Sequence, residues 1–168
     1  MERVLVLGSG GSGKSTLSVA LGARTGLPVV HLDTHYWNPG WTPTPDADWR
    51  QKVARLAAEP RWIMDGNFSG TFDARFPRAD TVIFLDLPRA LCLVRVLRRW
   101  VDHAGRTRPD LAPGCPESID LAFMRWVWSF PERSRPRVME ELAAHQHRCR
   151  TVVLRAPVEV ERFLGRLP

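Results

Sequence analysis

The chain opens with a short apolar run and a glycine-rich octapeptide, and this pair constrains the fold more than any other feature. Residues 3–7 read Arg-Val-Leu-Val-Leu, which is typical of a buried strand, and residues 8–15 read Gly-Ser-Gly-Gly-Ser-Gly-Lys-Ser. The octapeptide matches the pattern G-x-x-x-x-G-K-[ST] of a phosphate-binding loop. Residues 15–24 continue with a helical spacing of apolar side chains. Strand, glycine loop and helix form the context that this motif requires.

The loop motif gives each residue type a chemical role. Glycines let the backbone amide groups point inward at a polyphosphate, and the start of the following helix adds positive potential. The ammonium of Lys14 reaches the β- and γ-phosphates, and the hydroxyl of Ser15 is placed to ligate Mg²⁺. The chain has 24 Lys and Arg residues but only two lysines, Lys14 and Lys52, which indicates that the loop needs a compact ammonium. We predict a nucleoside-triphosphate site formed by Gly8, Ser9, Gly10, Gly11, Ser12, Gly13, Lys14, Ser15 and Thr16.

Length and composition favour one cytoplasmic domain spanning residues 1–168. The 168 residues suffice for one sizeable core. The N-terminus leads directly into a strand, and no apolar run approaches the ~20 residues of a membrane span. Cys92, Cys115 and Cys149 are odd in number and lack C-x-x-C spacing, which indicates buried or incidental thiols. The net charge of +6 favours phosphate-rich partners, either a nucleotide or a nucleic acid.

Five short apolar or β-branched runs predict a parallel sheet that is covered on both faces, because none of them alternates with polar residues. Helical patterns separate the runs, so we expect a doubly wound α/β domain with ligands at the carboxyl ends of the strands. Thr44 is the expected N-cap of one helix, and a helix from Pro88 carries an apolar stripe of Leu93, Val96, Leu97, Trp100 and Val101. A final helix is expected over residues 157–166. The predicted strands are residues 3–7, 28–32, 61–65, 80–86 and 151–155.

Residues 104–118 interrupt this alternation with three prolines and two glycines. A loop of this length suggests a functional lid. Arg106 and Arg108 lie on it, and further arginines flank it, so the lid is suited to exclude water and to stabilise charge on a transferring phosphoryl group. A solvated basic face is the alternative. The flanking arginines are Arg95, Arg98, Arg99, Arg125, Arg133, Arg135 and Arg137.

Three aspartates lie at predicted strand ends, at the edge of the sheet where the phosphate loop also lies: Asp33 follows the second strand, Asp65 ends the third and Asp86 ends the fourth. Phosphoryl transfer needs a carboxylate to hold Mg²⁺, and often another to orient the accepting hydroxyl. Asp65 is a candidate for the metal or the substrate, or a strand-terminating turn residue. Asp33 is the best candidate to bind the acceptor and take its proton, with an N-cap or turn role as the alternative. Asp86 is a candidate metal ligand or a cap of the next helix.

Aromatic and imidazole side chains surround Asp33 in the sequence. His31 and His35 lack a third ligand at metal spacing, so ordinary packing or hydrogen bonding is the expected role for both. Tyr36, Trp37 and Trp41 form an aromatic cluster. Core packing is its default interpretation, and a stacking wall for a planar acceptor is the alternative.

The phosphate loop, the Asp-Gly after the third strand, the run Leu-Asp-Leu-Pro at residues 85–88 and the arginine-bearing lid resemble the adenylate-kinase-like branch of P-loop kinases. Leu-Asp-Thr-His-Tyr-Trp-Asn-Pro-Gly-Trp, Trp-Ile-Met-Asp-Gly-Asn-Phe, Gly-Arg-Thr-Arg-Pro-Asp and Phe-Pro-Glu-Arg-Ser-Arg-Pro-Arg are similar to a bacterial group. Its members are labelled topology modulation proteins or adenylate-kinase-related proteins. The resemblance covers nearly the whole chain.

The resemblance implies a five-stranded parallel sheet in the order 2-3-1-4-5, ATP with Mg²⁺ as phosphoryl donor, and a lid that closes. Lys14 and Ser15 match the phosphate and metal residues of the family, and Asp65 matches the Asp-Gly position of its metal shell. Adenylate kinases continue Asp-Gly-Phe-Pro-Arg, whereas this chain continues Asp-Gly-Asn-Phe-Ser over residues 65–69. The pattern thus predicts a kinase for a small molecule or nucleotide, with an unspecified acceptor. The alternatives are a nucleotide-dependent nucleic-acid-binding regulator, with basic charge as its weak support, and an NTPase switch.

Overall fold

A five-stranded parallel sheet forms the centre of the molecule. The computed structural model describes residues 1–103, 112–116 and 120–167. The strands lie in the order β2-β3-β1-β4-β5, which confirms the predicted order 2-3-1-4-5. Every predicted strand is present within one residue of its predicted ends. The strands are β1 (Arg3–Gly8), β2 (Val29–His31), β3 (Trp62–Asp65), β4 (Thr81–Leu85) and β5 (Arg150–Leu154).

Helices cover both faces of the sheet. They are α1 (Lys14–Thr25), α2 (Leu32–Tyr36), α3 (Asp46–Ala58), α4 (Phe72–Arg75), α5 (Arg89–His103), α6 (Leu121–Arg133), α7 (Arg135–His145) and α8 (Pro157–Gly165). The two-residue strands Trp37–Asn38 and Thr42–Pro43 pair in antiparallel fashion between α2 and α3, and residues 37–43 are called the aromatic hairpin below. Within the described ranges, none of these helices has the length and apolar character needed to cross a membrane.

Side-chain alternation along β1 explains the three layers. Leu5 and Leu7 belong to a core cluster that includes side chains from α3, α6 and α7, whereas Val4 and Val6 belong to a second cluster with α1 and α8. All four side chains are completely buried. Full burial of a Val or Leu side chain stabilises the fold by about 1.5–3 kcal/mol, so β1 anchors both layers. The predicted α/β fold class is confirmed.

Strand register brings the carboxyl ends of four strands close together at one edge of the sheet. Asp65 of β3 pairs with Val6 of β1 and with His31 of β2. Gly8, at the end of β1, pairs with Leu85 of β4. The residues that follow these strands therefore meet at one edge of the sheet, beside the glycine loop.

Two local predictions differ from the structure. Pro45 is the N-cap of α3, and the hydroxyl of Thr44 instead donates to the carbonyl of Tyr36 at 2.6 Å, so Thr44 closes the aromatic hairpin. The predicted stripe of α5 is only partly buried. Val96 is 6% exposed, but Leu97 is 37% and Val101 is 68% exposed. The helix is rotated from the expected orientation because its buried Cys92 packs against the glycine loop.

Candidate functional site

The glycine loop begins at the end of β1 and runs directly into α1. Gly13, the N-cap of α1, has φ +93°, and Gly11 has φ +76°, both in the left-handed region that favours glycine. A Cβ atom on Gly11 would lie 2.2 Å from the carbonyl oxygen of Cys92 in α5. The backbone of α5 therefore approaches the loop so closely that only glycine fits. The positive end of α1 points into the same loop.

Lys14 is the first residue of α1, and its ammonium donates across the loop to the carbonyl of Ser9 at 2.9 Å. Desolvation lowers the pKa of Lys14, while the negative charges of Asp33 and Asp65 oppose this change and Arg99 adds to it. The ammonium is thus poorly hydrated and close to two carboxylates. An anionic group entering the loop would compensate the lost hydration.

Asp65 is buried at the end of β3, with its side chain only 3% exposed. Its Oδ2 lies 2.9 Å from Nδ1 of His31, at the end of the neighbouring strand. Asp33 lies in the first turn of α2, whose N-cap is His31, so the alternative of an N-cap role for Asp33 is not realised. The fold therefore brings Lys14, Asp33 and Asp65 together, and the chemical roles assigned to them remain predictions.

Asp86 follows β4 but has a different environment. Arg135 of α7 donates to both of its carboxylate oxygens, from Nε to Oδ1 at 2.8 Å and from Nη2 to Oδ2 at 2.9 Å. Arg155 lies 3.9 Å from Oδ2. The hydrogen bond from Arg135 to Asp86 is the main reason that the pKa of Arg135 is raised. The proposed metal role of Asp86 stays a prediction, and the two bonds from Arg135 weigh against it.

Two arginines of α5 lie at the loop. Nη1 of Arg95 donates to the carbonyl of Ser12 at 3.4 Å, and the charge of Arg99 acts on Lys14. Arg98 instead faces solvent, 3.8 Å from Asp102. Arg106 and Arg108 lie outside the described residues, as does most of the predicted lid at 104–118.

The described part of the lid region contacts the aromatic hairpin. The amide of Gly40 donates to the carbonyl of Gly114 at 2.9 Å, and Nε1 of Trp41 donates to the carbonyl of Pro116 at 3.1 Å. Sγ of Cys115 lies 3.3 Å from the carbonyl of Asn38. Residues 112–116 are therefore joined to the chain segment that follows α2.

The predicted aromatic cluster is larger than its three members. Tyr36 lies 4.8 Å from Trp37 and 4.9 Å from Phe68, measured between ring centroids. Trp37 lies 5.4 Å from Trp41, and Trp49 of α3 completes the cluster. Of the three predicted members, Tyr36 packs against the core cluster that contains Trp49, as the default interpretation expects.

Sequence reasoning missed two residues of the site. Asn67 exchanges two hydrogen bonds with Gly8, the first glycine of the loop: the amide of Gly8 donates to Oδ1 at 3.1 Å, and Nδ2 donates to the carbonyl of Gly8 at 2.6 Å. Arg75 of α4 is completely buried beneath the same turn. The departure from Asp-Gly-Phe-Pro-Arg at residues 65–69 was the one signal that pointed to Asn67.

No group of three or more His, Cys, Asp or Glu side chains within residues 1–103, 112–116 and 120–167 is arranged to hold a metal ion. A metal at this site would therefore depend on few protein ligands. Oxygen atoms near the loop are available from the hydroxyl of Ser15, in the first turn of α1, and from the carboxylates of Asp33 and Asp65. Hard cations such as Mg²⁺ commonly keep several water ligands.

Comparisons with known proteins agree with this fold. No protein-family model matches the chain. The uncharacterized protein YqaC of Bacillus subtilis (strain 168) is 29% identical over 150 residues, which is 87% of this chain and 81% of that protein. Solved structures of two kinds of kinase are similar in fold.

Shikimate kinase from Bacteroides thetaiotaomicron superposes with a TM-score of 0.55 at 16% identity, over 98% of this chain and 95% of that one. A gluconokinase from Sinorhizobium meliloti 1021 gives a TM-score of 0.55 at 18% identity, over 97% and 89%. Shikimate kinase from Acinetobacter baumannii, in complex with shikimate, gives 0.60 at 13% identity, over 98% and 89%. The chain therefore has the three-layer α/β fold of these P-loop kinases.

Proposed function

We propose that the protein is an ATP- and Mg²⁺-dependent phosphotransferase that phosphorylates a small hydroxylated molecule. The observation that carries this proposal is the convergence of Lys14, Asp33 and Asp65 at one edge of the sheet, beside the glycine loop. The lysine alone suffices for a loop that only binds nucleotide. Transfer of a phosphoryl group to a hydroxyl acceptor also requires carboxylates, and two lie near this lysine.

The loop fits a triphosphate. The hydroxyls of Ser9 and Ser12 are buried, and neither has a hydrogen-bond partner among the described residues. Buried polar atoms without partners are costly, so donors of this kind favour an anion in the loop. The loop glycines leave room for phosphate oxygens close to the backbone amides. When bound, MgATP supplies the γ-phosphoryl group.

The chain's own residues have separate tasks in this proposal. Lys14 and the loop amides stabilise the negative charge on the phosphates. Ser15 and Asp65 hold the metal, with Asp65 acting through water, and Nδ1 of His31 fixes the orientation of the Asp65 carboxylate. Asp33 accepts the proton of the attacking hydroxyl. The arginines of α5 and of the predicted lid, among them Arg106 and Arg108, close over the transferring group and exclude water.

A hydroxylated acceptor without a phosphate fits this turn better than a nucleoside monophosphate. Residues 65–69 lack the arginine that adenylate kinases carry there, and the arginine that follows, Arg75, is completely buried. The structurally similar proteins are named as kinases of shikimate and as a gluconokinase, and they are consistent with an acceptor of this class. The aromatic hairpin and Phe68 would form the apolar side of the acceptor pocket.

A thermal-shift screen tests this proposal. The purified protein is mixed with MgAMPPNP, a non-hydrolysable ATP analogue, and with a panel of nucleosides, nucleotides, polyols and hydroxy acids. A ligand present at about 100 times its Kd stabilises by ~2.7 kcal/mol, which raises the Tm of a protein of this size by about 5–10 °C. The acceptor should add a further increase only together with MgAMPPNP. The same compound should then stimulate ADP formation from ATP.

Lys14→Ala should abolish acceptor-dependent ADP formation, because the loop loses the charge that contacts the phosphates. Lys52→Ala is the matched control, since Lys52 is the other lysine and its Nζ donates to the carbonyl of His35 at 2.8 Å instead of to the glycine loop. A panel in which no compound stimulates ADP formation above a Lys14-dependent basal rate would contradict the kinase proposal and favour an NTPase switch.

A further inference from the structure

Asn67 joins the turn after β3 to the start of the glycine loop. Its side-chain amide makes the reciprocal pair of hydrogen bonds with Gly8 although the two residues are 59 positions apart in the sequence. Both the amide and the carbonyl of Gly8 are thus hydrogen-bonded to the side chain of Asn67. The pair therefore fixes the position of the peptide groups from which the loop departs, and any displacement of the turn moves the loop.

Arg75 holds the same turn from inside the core. Its guanidinium donates to three consecutive carbonyls: Nη1 to Gly66 at 2.9 Å, and Nη2 to Asn67 and, at 3.1 Å, to Phe68. Nε donates to the hydroxyl of Thr71 at 3.1 Å. Burial lowers the pKa of Arg75 to about 9, and the charge of Asp73 opposes this effect, so the guanidinium stays charged at neutral pH.

A buried cation of this kind is unusual. Among the described residues, no carboxylate lies within ion-pair distance of Arg75. Its charge is therefore compensated mainly by the three carbonyl dipoles and the hydroxyl of Thr71, with a longer-range contribution from Asp73. Without these groups the charge would be buried and unpaired. Such groups are costly and are maintained where the surrounding structure needs them.

The turn itself is strained. Gly66 has φ +123° and Phe68 has φ +35°, a value that a residue with a Cβ atom rarely adopts. A left-handed conformation at such a residue is energetically unfavourable. This conformation places the ring of Phe68 4.9 Å from Tyr36 and 4.8 Å from Trp49. Strain of this kind is concentrated at functional sites.

We propose that Arg75 and Asn67 are positioning residues that make the turn at residues 66–68 a rigid link between the two halves of the site. Arg75 fixes the turn from the core, Asn67 transmits its position to Gly8 on the nucleotide side, and Phe68 transmits it to the aromatic residues on the acceptor side. This inference rests on the proposed function for its two half-sites. Neither residue contacts the reacting groups in this role.

Hydrogen exchange at the amide of Gly8 measures directly how firmly Asn67 holds the loop. In Asn67→Ala it loses its acceptor, so its hydrogen exchange, followed by NMR, should become about tenfold faster, which corresponds to ~1.4 kcal/mol. The Kd of MgAMPPNP, measured by calorimetry well below the Tm, should rise by a similar factor. In a folded Asn67→Ala protein, Gly8 exchange within twofold of wild type would overturn the inference.

Arg75→Met tests transmission, because Arg75 donates to the turn and not to Gly8. We expect faster exchange at residues 66–68 and also at Gly8, compared with wild type at matched global stability. Arg78→Met, at an exposed arginine three positions later, is the control and should change neither. Faster exchange confined to residues 66–68 would show that Arg75 only supports the core, and would overturn the link. If Arg75→Met does not fold, Asn67→Ala decides.

These readouts separate the inference from the proposed function. Wild-type protein that fails to bind MgAMPPNP would contradict the proposed function. The exchange of Gly8 would still decide whether Asn67 and Arg75 fix the loop.

Discussion

Asp65 ends a buried strand and Asp86 directly follows one, but their carboxylates have different partners. Asp65 lies beside the imidazole of His31, and its negative charge opposes the lowering of the pKa of Lys14 by burial. Asp86 accepts two hydrogen bonds from one guanidinium, that of Arg135. A paired arrangement of this kind satisfies both oxygens and ties α7 to the end of β4. The position of an aspartate at the end of a strand therefore does not determine its chemical role. The side chain that pairs with its carboxylate does.

Arg135→Met should separate the structural role of Asp86 from a metal role. The substitution leaves the largely buried carboxylate without its two strongest donors, so the free energy of unfolding should fall by about 1–2 kcal/mol. The Mg²⁺ concentration needed for half-maximal AMPPNP binding should stay within twofold of wild type. Chemical denaturation and calorimetry measure these two quantities, and Arg133→Met, at an exposed neighbour, is the control.

Asp86→Asn provides the opposing outcome. A rise of tenfold or more in the Mg²⁺ requirement of this variant, with Arg135→Met unchanged, would show that Asp86 holds the metal after all. The expected result is instead a loss of stability with normal Mg²⁺ dependence, because the carboxylate mainly serves the ion pair with Arg135.

Secondary-structure elements were the most predictable part of this molecule. Parallel strands buried on both faces are short apolar runs, and this signal located all five strands. Their order was predicted from the family resemblance, and the structure confirms it. The start of α1 was also predictable, because the glycine-rich motif is followed directly by a helix in phosphate-binding loops. Helix orientation was less predictable. Cys92 is buried and Val101 is exposed because α5 packs against the loop, a contact that periodicity does not contain.

The two positioning residues could not be predicted from patterns. Asn67 and Gly8 are far apart in the sequence, and a single asparagine in a turn is usually explained by local turn chemistry. Arg75 stands among aromatic residues in a chain rich in arginine, and its burial follows only from the packing of α4. Contacts between distant elements decided both roles, and sequence spacing carries no record of them.

Asp80 connects the amino ends of β1, β4 and β5 by hydrogen bonds, at the edge of the sheet opposite the site. Its Oδ2 accepts from the amides of Glu2 and Arg3 at 2.7 and 2.8 Å, and its backbone carbonyl accepts from Arg150 at 2.8 Å. Desolvation would raise the pKa of Asp80, but the hydrogen bonds from Arg3, Glu2 and Thr81 outweigh it and lower the pKa. The charged carboxylate therefore stabilises the folded state.

Asp80→Ala should lower the Tm at neutral pH and have less effect in acid. The lowered pKa means that the stabilisation is complete above the pKa of the unfolded chain, near 4, and is lost as the pH falls through the folded value. The difference in Tm between wild type and Asp80→Ala should thus narrow between pH 6 and about pH 3. Thermal unfolding at several pH values measures it. A difference that stays constant over this range would show that the carboxylate's charge contributes nothing.

At the scale of the whole molecule, four elements from distant parts of the sequence surround one edge of the sheet. The loop after β1, the turn after β3 and helix α2 form its floor, while α5 packs on the loop from above. Residues 112–116 are joined to the aromatic hairpin, which lies on the proposed acceptor side. The proposed nucleotide side and the proposed acceptor side would therefore share these elements. This arrangement favours coupled binding of two small ligands over binding of an extended polymer.

The net charge of +6 nevertheless predicts some attraction to nucleic acid. The dependence of this binding on salt and on bound nucleotide distinguishes a small-molecule kinase from a nucleotide-dependent nucleic-acid-binding regulator. Each neutralised phosphate contributes about 0.9 to the slope of log K against log salt, so three such contacts weaken duplex binding by about 40-fold between 50 and 200 mM salt. We expect weak binding of this type, measured by fluorescence anisotropy with a labelled duplex of about 20 base pairs. MgAMPPNP should change its Kd by less than twofold, because general basic charge does not report the occupancy of the loop. Tight binding that resists salt and requires MgAMPPNP would instead favour a nucleotide-dependent regulator, and Lys14→Ala should then abolish that requirement.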